Sequence, residues 1–216
     1  MYIKLIIFDF DGTLADTNKL IVDCKQEAMR RMGLKVMDEA VCSSTIGLSA
    51  ATGFRQTYPD LSEEMIEKCV AEYRALFEEK KLTEPPDLFP EVLSTLKTIK
   101  EKGIICTIAS SRNSRSLNGF LETMGLEEYF EYVLGGDDTL LLKPNPDPVL
   151  KTLEHLGVSA ENTLVVGDMP FDILMGKNAG AYTCGVTYGN ADRETLEDAG
   201  ADYIFDKLGD ILIIIR

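Results

Sequence analysis

Residues Tyr2 to Phe8 form a run of β-favouring, mostly apolar side chains that stops abruptly at Asp9-Phe10-Asp11-Gly12-Thr13-Leu14. A strand this apolar has to be buried on both faces, the condition of an inner strand in a parallel sheet covered by helices. Its C-terminal end then delivers two carboxylates to the edge where open α/β sheets hold their ligands. Side chains alternate along an extended strand, but the chain turns here, so Asp9 and Asp11 can converge on one site. Burying them is costly unless a cation or hydrogen-bond donors compensate. The pattern predicts a metal-dependent active site. A strand-end Asp before Gly is also an ordinary turn signal. Calcium loops share D-x-D-G, but they continue with spaced oxygen ligands and a closing Glu, which Thr13-Leu14-Ala15 does not begin. The rest of the chain must therefore supply the partners.

The formal charge of −14 argues against nucleic acid, because there is no basic stripe to neutralise phosphates. If the substrate is an anion, a few local cations must overturn that field. The 216 residues suit one large domain or one domain carrying an insertion. Cys24, Cys42, Cys69, Cys106 and Cys184 form no C-x-x-C pair, so neither a zinc site nor a disulfide framework is indicated. Reduced thiols and a cytoplasmic location are expected. The N-terminal apolar run is broken by Lys4 and Asp9 and does not read as a signal peptide. The run Ile211 to Ile215 is too short to span a membrane and is expected to pack a final element onto the core.

From Asp16 to about Lys80 the pattern is helical. A helix over Thr17 to Met32 stops near Gly33, and Ser62-Glu63-Glu64 opens another that runs to Lys80. Pro85, Pro86 and Pro90 stiffen the connection that follows. Residues 15–84 are thus expected to be a helical insertion. Helices then alternate with strands: Glu91 to Lys102 before Ile104 to Ala109, Ser114 to Met124 before Tyr132 to Leu134, Pro146 to Leu156 before Thr163 to Val166. The helix Phe171 to Ala179 precedes the strand Tyr182 to Val186, and Tyr203 to Phe205 is a last short strand. Such alternation predicts an α/β fold with a parallel sheet.

Three further strand ends carry chemistry. Ala109-Ser110-Ser111 precedes Arg112 and Asn113, and hydroxyls beside free helix N–H groups suit an anion. The plain alternative is that Ser110 or Ser111 caps the helix. Lys143-Pro144-Asn145-Pro146 holds one lysine on a stiff loop, suited to neutralising charge at a fixed point, although such a lysine is commonly just solvated. Val165-Val166-Gly167-Asp168 again brings a carboxylate to a strand end, with Asp172 four residues on; Asp168 could instead cap the Phe171 helix.

Together these residues resemble the haloacid dehalogenase superfamily of phosphotransferases. The resemblance rests on Asp9-Phe10-Asp11-Gly12-Thr13-Leu14, Ser110, Lys143 in its Lys-Pro-x-Pro setting, and Gly167-Asp168 with Asp172. Within it the chain is most similar to the phosphoglycolate phosphatase, pyrophosphatase and β-phosphoglucomutase branch. The resemblance implies a Rossmann-like core (1–14 and 85–216) with an α-helical cap (15–84). It implies Asp9 as nucleophile, Asp11 as general acid and base, and Mg²⁺ held by Asp9, Asp168 and the backbone carbonyl of Asp11. Ser110 and Lys143 would grip the phosphoryl group, helped by Ser111 and by main-chain N–H groups at Gly12, and Asp172 would support Lys143 or a metal-bound water. This division of labour suits phosphoryl transfer, which is mostly positioning and charge stabilisation.

The partner implied is a small phosphorylated metabolite, with no nucleic acid and no membrane, acted on by a monomer or weak homodimer. In the cap, Thr45, Gly47 and Ser49 are expected to face the leaving group. Arg112 and Arg115 are candidates to grip a second anion, or else ordinary surface arginines. A phosphomutase of the β-phosphoglucomutase type would carry a histidine where Ile21 stands and an arginine where Ala50 stands. Both are missing, and His155 is expected to be a solvated surface residue. Hydrolysis is therefore favoured over the mutase reading, and over a non-catalytic binding protein on the same fold.

Overall fold

The run that ends at Asp9 becomes the central strand of a six-stranded parallel sheet. In the computed structural model, which describes residues 2–215, the strands are β1 (Leu5–Phe8), β2 (Ile105–Ala109), β3 (Tyr132–Leu134), β4 (Thr163–Gly167), β5 (Tyr182–Val186) and β6 (Tyr203–Phe205). Their order across the sheet is β3-β2-β1-β4-β5-β6. The chain therefore builds outward from β1 on one side, then crosses back and builds on the other. That reversal opens a crevice at the C-terminal end of β1. Register makes the crevice a shared one: Phe8 stands beside Ile108 of β2 and Val166 of β4. Asp9, Ser110 and Asp168 consequently leave three adjacent strands at nearly the same height.

Alternation along β1 explains why both of its faces are apolar. Ile6 and Phe8 join a cluster with α5 (Val92–Glu101) and α6 (Ser114–Met124). Leu5 and Ile7 face α7 (Asp147–Leu156) and α8 (Pro170–Asn178) through Val149 and Met175. A short helix, α9 (Arg193–Asp198), buries Leu196 against Ile173. The C-terminal apolar run closes the first face as a 3-10 turn over Leu208–Ile213, with Leu208, Ile211 and Ile215 buried. Among the described residues no helix is long and apolar enough to cross a membrane. All five cysteines are free and buried.

Between β1 and α5 lie four helices: α1 (Asn18–Arg31), α2 (Glu39–Ser43), α3 (Ala50–Thr57) and α4 (Glu63–Thr83). Ser62 starts α4 by accepting from the Met65 N–H, as its sequence signature requires. The short helices α2 and α3 were not anticipated; Asp38 and Ser49 cap them in the same way. The segment enters and leaves through paired crossings, with Asp16 N–H donating to Asp87 O at 2.8 Å and Phe89 N–H to Leu14 O at 3.0 Å. Apolar side chains of α1 and α4 continue the sheet's own cluster, ending in an edge-on contact between Phe77 and Phe120 at 6.0 Å.

Candidate active site

At the crevice the structure gathers the acids that the sequence placed on separate strands. Lys143 Nζ donates to Asp9 Oδ1 and to Asp172 Oδ1, both at 2.6 Å, and all three side chains are no more than 2% exposed. Asp172 Oδ2 accepts from the Met169 N–H at 3.0 Å, so this acid also fixes the start of α8. Asp168 is fully buried. Its Oδ1 accepts from Thr13 Oγ1 at 3.0 Å, and its Oδ2 accepts from Asn190 N–H and Nδ2 at 2.8 and 2.7 Å. Asn190, on the loop after β5, is a site residue that sequence reasoning missed. Neither the Ser110 nor the Asp168 capping alternative holds: Asn113 caps α6, and Met169 precedes α8.

One atom stands out electrostatically. Asp9 Oδ2 is buried with no hydrogen-bond partner. Carboxylate oxygens of Asp9, Asp168 and Asp172 lie within 4.8 Å of one another. These three acids face one buried ammonium, which leaves two negative charges without compensation. Burial, then the neighbouring acids Asp172, Asp168 and Asp11, raise the Asp9 carboxyl well above its ordinary range against the pull of Lys143. Burial and the Asp172 charge likewise push Asp168 up to about 7, despite its hydrogen bonds. For Lys143, burial opposes the charge, but the two flanking carboxylates outweigh it and hold the ammonium above its usual value. An all-oxygen cluster short of two positive charges, with one oxygen orphaned, fits a hard divalent cation such as Mg²⁺.

Gly12 serves this cluster differently from the expectation. Its N–H donates to Ala15 O at 2.9 Å and is not free to meet a phosphate. Its φ of +87° and its packing are what matter, because a Cβ there would overlap Asp168 Oδ2 and Asn190 Nδ2. Gly12→Ala is expected to cost about 2 kcal/mol or more in stability from the left-handed backbone and the clash. By displacing Asp168 from the acid cluster it should also reduce any stabilisation that added Mg²⁺ gives. Denaturant melts with and without Mg²⁺ check both effects, and an unchanged Mg²⁺ response would show that Asp168 stays in place.

Asp11 faces away from the three-acid cluster. Its carboxylate accepts from Arg112 Nη2 at 2.6 Å, Arg112 Nε at 3.0 Å and Thr17 Oγ1 at 2.7 Å. This forked pairing is the geometry for which arginine is suited. Arg112 was expected to await a second anion or to lie in solvent; instead Asp11 occupies it. Its guanidinium lies over the rings of Phe77 and Phe120, 4.4 and 5.0 Å from their centroids. Of the expected metal set, Asp9 and Asp168 lie in the cluster. Asp11 could join only through its backbone carbonyl, which is how the resemblance assigns it.

A cavity of about 700 Å³ opens beside these acids, bounded by Asp9, Asp11, Ser110 and Arg112 on one side and by the helical segment on the other. Thr45, Gly47 and Ser49 all line it, as do Ile21 and Ala50, so no cap histidine or arginine occupies those two positions. Ser49 caps α3, accepting from the Thr52 N–H. Ser110 is buried and accepts from the Arg112 N–H at 3.1 Å. Ser111 is not available as drawn from sequence: its hydroxyl donates to Gly47 O at 2.6 Å, tying the β2 edge to the helical segment. Arg115 lies at the rim, exposed. His155 is exposed, as expected, and stacks on Tyr132 rather than lining the cavity. Lys25 of α1 lines the cavity too and is buried, which its place on an amphipathic helix did not suggest.

An open parallel sheet with carboxylates converging at its switch point and an amine fixed among them defines an α/β protein whose ligand site lies at that crevice. Residues 6–186 match the haloacid dehalogenase-like hydrolase family, and the chain belongs to it. It is 34% identical over 226 residues to a phosphoglycolate phosphatase from Vibrio cholerae, covering 99% of this chain and 97% of that one. Pyrophosphatase PpaX from Halalkalibacterium halodurans is 32% identical over 217 residues, covering 100% and 98%. A crystal structure from Bacteroides fragilis, described as a haloacid dehalogenase-like hydrolase, superposes with a TM-score of 0.92 at 27% identity over 97% of this chain and 99% of that one.

Proposed function

We propose that this hydrolase is a Mg²⁺-dependent phosphatase that releases phosphate from a small phosphorylated metabolite through an aspartyl-phosphate on Asp9. The observation that carries the proposal is the Asp9 carboxylate, fixed at one oxygen by Lys143 and left without a partner at the other. The similarity to phosphatases and pyrophosphatases over nearly the whole chain supports it. Asp9, Asp168 and the Asp11 carbonyl would hold Mg²⁺, which when bound supplies charge neutralisation at the transferring phosphoryl group.

The protein's own residues account for the bond changes. An Asp9 oxygen attacks phosphorus, the bond from phosphorus to the leaving oxygen breaks, and Asp11 protonates that oxygen. Asp11 then takes a proton from water, whose oxygen attacks phosphorus and breaks the bond to Asp9. Lys143 and Ser110 hold the phosphoryl oxygens, and Asp172 holds Lys143. Thr17 and Arg112 orient Asp11. The helical segment acts as a cap, closing the cavity that receives the leaving group and excluding water. With Ile21 and Ala50 lining that cavity, the geometry favours hydrolysis over a mutase.

Phosphate release from a panel containing phosphoglycolate, pyrophosphate, hexose phosphates and simple alkyl phosphates tests this reading. Release that requires Mg²⁺ and stops on chelation is expected. Absence of release across the panel with Mg²⁺ present would overturn it.

A further inference from the structure

Lys25 is the one buried amine of the cavity with no acidic partner among the described residues. It is 7% exposed. Its Nζ donates to two neutral acceptors, Cys42 O at 2.9 Å and Thr45 Oγ1 at 2.7 Å. An ammonium carries three protons, so one remains without a protein acceptor in these contacts. The other cationic side chains of the cavity are differently placed: Arg112 is matched by Asp11, and Arg74 and Arg115 are exposed. Ile21 lines the same cavity one turn before Lys25, so this face of α1 is turned toward the leaving-group space.

Neutral hydrogen bonds could equally be made by an uncharged side chain, at far smaller cost in desolvation. That cost is evident in the amine, which burial pulls down to about 8, with only weak support from Cys42 and Asp11. A buried cation held at a cavity wall, short of a counter-charge, is arranged to receive one from a ligand.

We infer that Lys25 is a specificity-determining residue whose ammonium binds a second anionic group, carboxylate or phosphate, on the leaving side of the substrate. The inference rests on the phosphatase reading for the position of the leaving group. It names the substrate class: compact phosphates that carry another negative charge near the scissile bond. Thr45 fixes the amine's direction, and its own hydroxyl lies 3.1 Å from Cys42 O.

Lys25→Gln keeps a donor for Cys42 O while removing the charge; Lys25→Met removes both. For each variant, kcat/KM is measured on phosphoglycolate, pyrophosphate and 2-hydroxyethyl phosphate, which keeps the phosphate but replaces the second anion with a hydroxyl. A loss of about 10- to 100-fold, carried mainly by KM, is expected for the two substrates with a second anion, with 2-hydroxyethyl phosphate within about threefold. Activity on phosphoglycolate alone or on pyrophosphate alone assigns the second anion as carboxylate or phosphate. Equal losses on all three substrates would make Lys25 merely structural and overturn the inference, as would no loss at all.

A binding arm separates this result from the phosphatase reading. Calorimetry on Asp9→Asn protein, with and without Lys25→Gln, compares phosphoglycolate and pyrophosphate with 2-hydroxyethyl phosphate. A preference for phosphoglycolate or pyrophosphate that collapses with Lys25→Gln sustains the inference even if no substrate is turned over. No preference for either in the parent, or a preference untouched by the substitution, overturns it.

Discussion

Replacing Asp9 with Asn lowers phosphate release by about four orders of magnitude or more, while the protein melts at the same temperature or slightly higher. The rate loss follows from removing the attacking atom of a covalent route, for which no neighbouring group substitutes. The stability result follows from charge. Asp9 is raised well above its ordinary range by burial and by three nearby acids, so its ionised form is a cost to the metal-free fold. Asn keeps the shape and an acceptor for Lys143, and Lys143 keeps its bond to Asp172. Phosphate assays and thermal melts on the same preparation check the pair of outcomes. Turnover above one-hundredth of wild type in a pure sample would remove Asp9 from the role of nucleophile (the threshold being about 3 kcal/mol of barrier).

Lys143→Met is expected to damage the fold most, and activity with it. It leaves two buried carboxylates, Asp9 and Asp172, without the cation that each touches at 2.6 Å. Breaking a buried pair from one side costs about 3–5 kcal/mol. At roughly 2–4 °C per kcal/mol for a chain of this size, melting should fall by about 6–20 °C. The deficit should depend on pH, and its sign is fixed. Without Lys143 the Asp9 carboxyl, already raised by burial, loses the cation that pulls it down and rises still further above its unfolded value. Its stabilisation is then complete only below the ordinary carboxylate range, and it is lost as pH rises through the raised value. Melts from pH 5 to pH 8 should therefore show the variant falling progressively behind wild type. A constant gap would mean that Lys143 contributes packing rather than charge.

How much of this was legible in the sequence depends on how local each signal is. β1, β2 and β4 could be read because strands buried on both faces are continuous apolar runs, and their terminal acids and serine stand directly after them. α4 could be read from Ser62-Glu63-Glu64, although it runs on to Thr83 before Pro85 and Pro86 stop the pattern. α2 and α3 span only 5 and 8 residues, too few to show a period, and their caps Asp38 and Ser49 become visible only in the structure.

Most of the misreadings are non-local. Arg112 meets Asp11 across 101 positions of sequence, and Asn190 meets Asp168 from a loop whose composition reads simply as a turn. Lys25 lies on a helix whose other charges are solvated; its burial depends on how the stretch from Cys42 to Thr45 folds over it. The Gly12 amide and the Ser111 hydroxyl were assigned to phosphate because sequence shows which donors are near a strand end, not which acceptors reach them first.

Arg112 lies over two touching rings that belong to different parts of the molecule, Phe77 on α4 and Phe120 on α6. The guanidinium that grips Asp11 is therefore seated partly on the helical segment and partly on the sheet's own covering. Any slide of α4 across α6 takes one ring from under the arginine while the other stays. Asp11, the proposed proton donor, thus registers the posture of the helical segment through Arg112. Phe77→Leu, which touches Arg112 rather than Asp11, would therefore reach the proposed proton transfer only through the arginine.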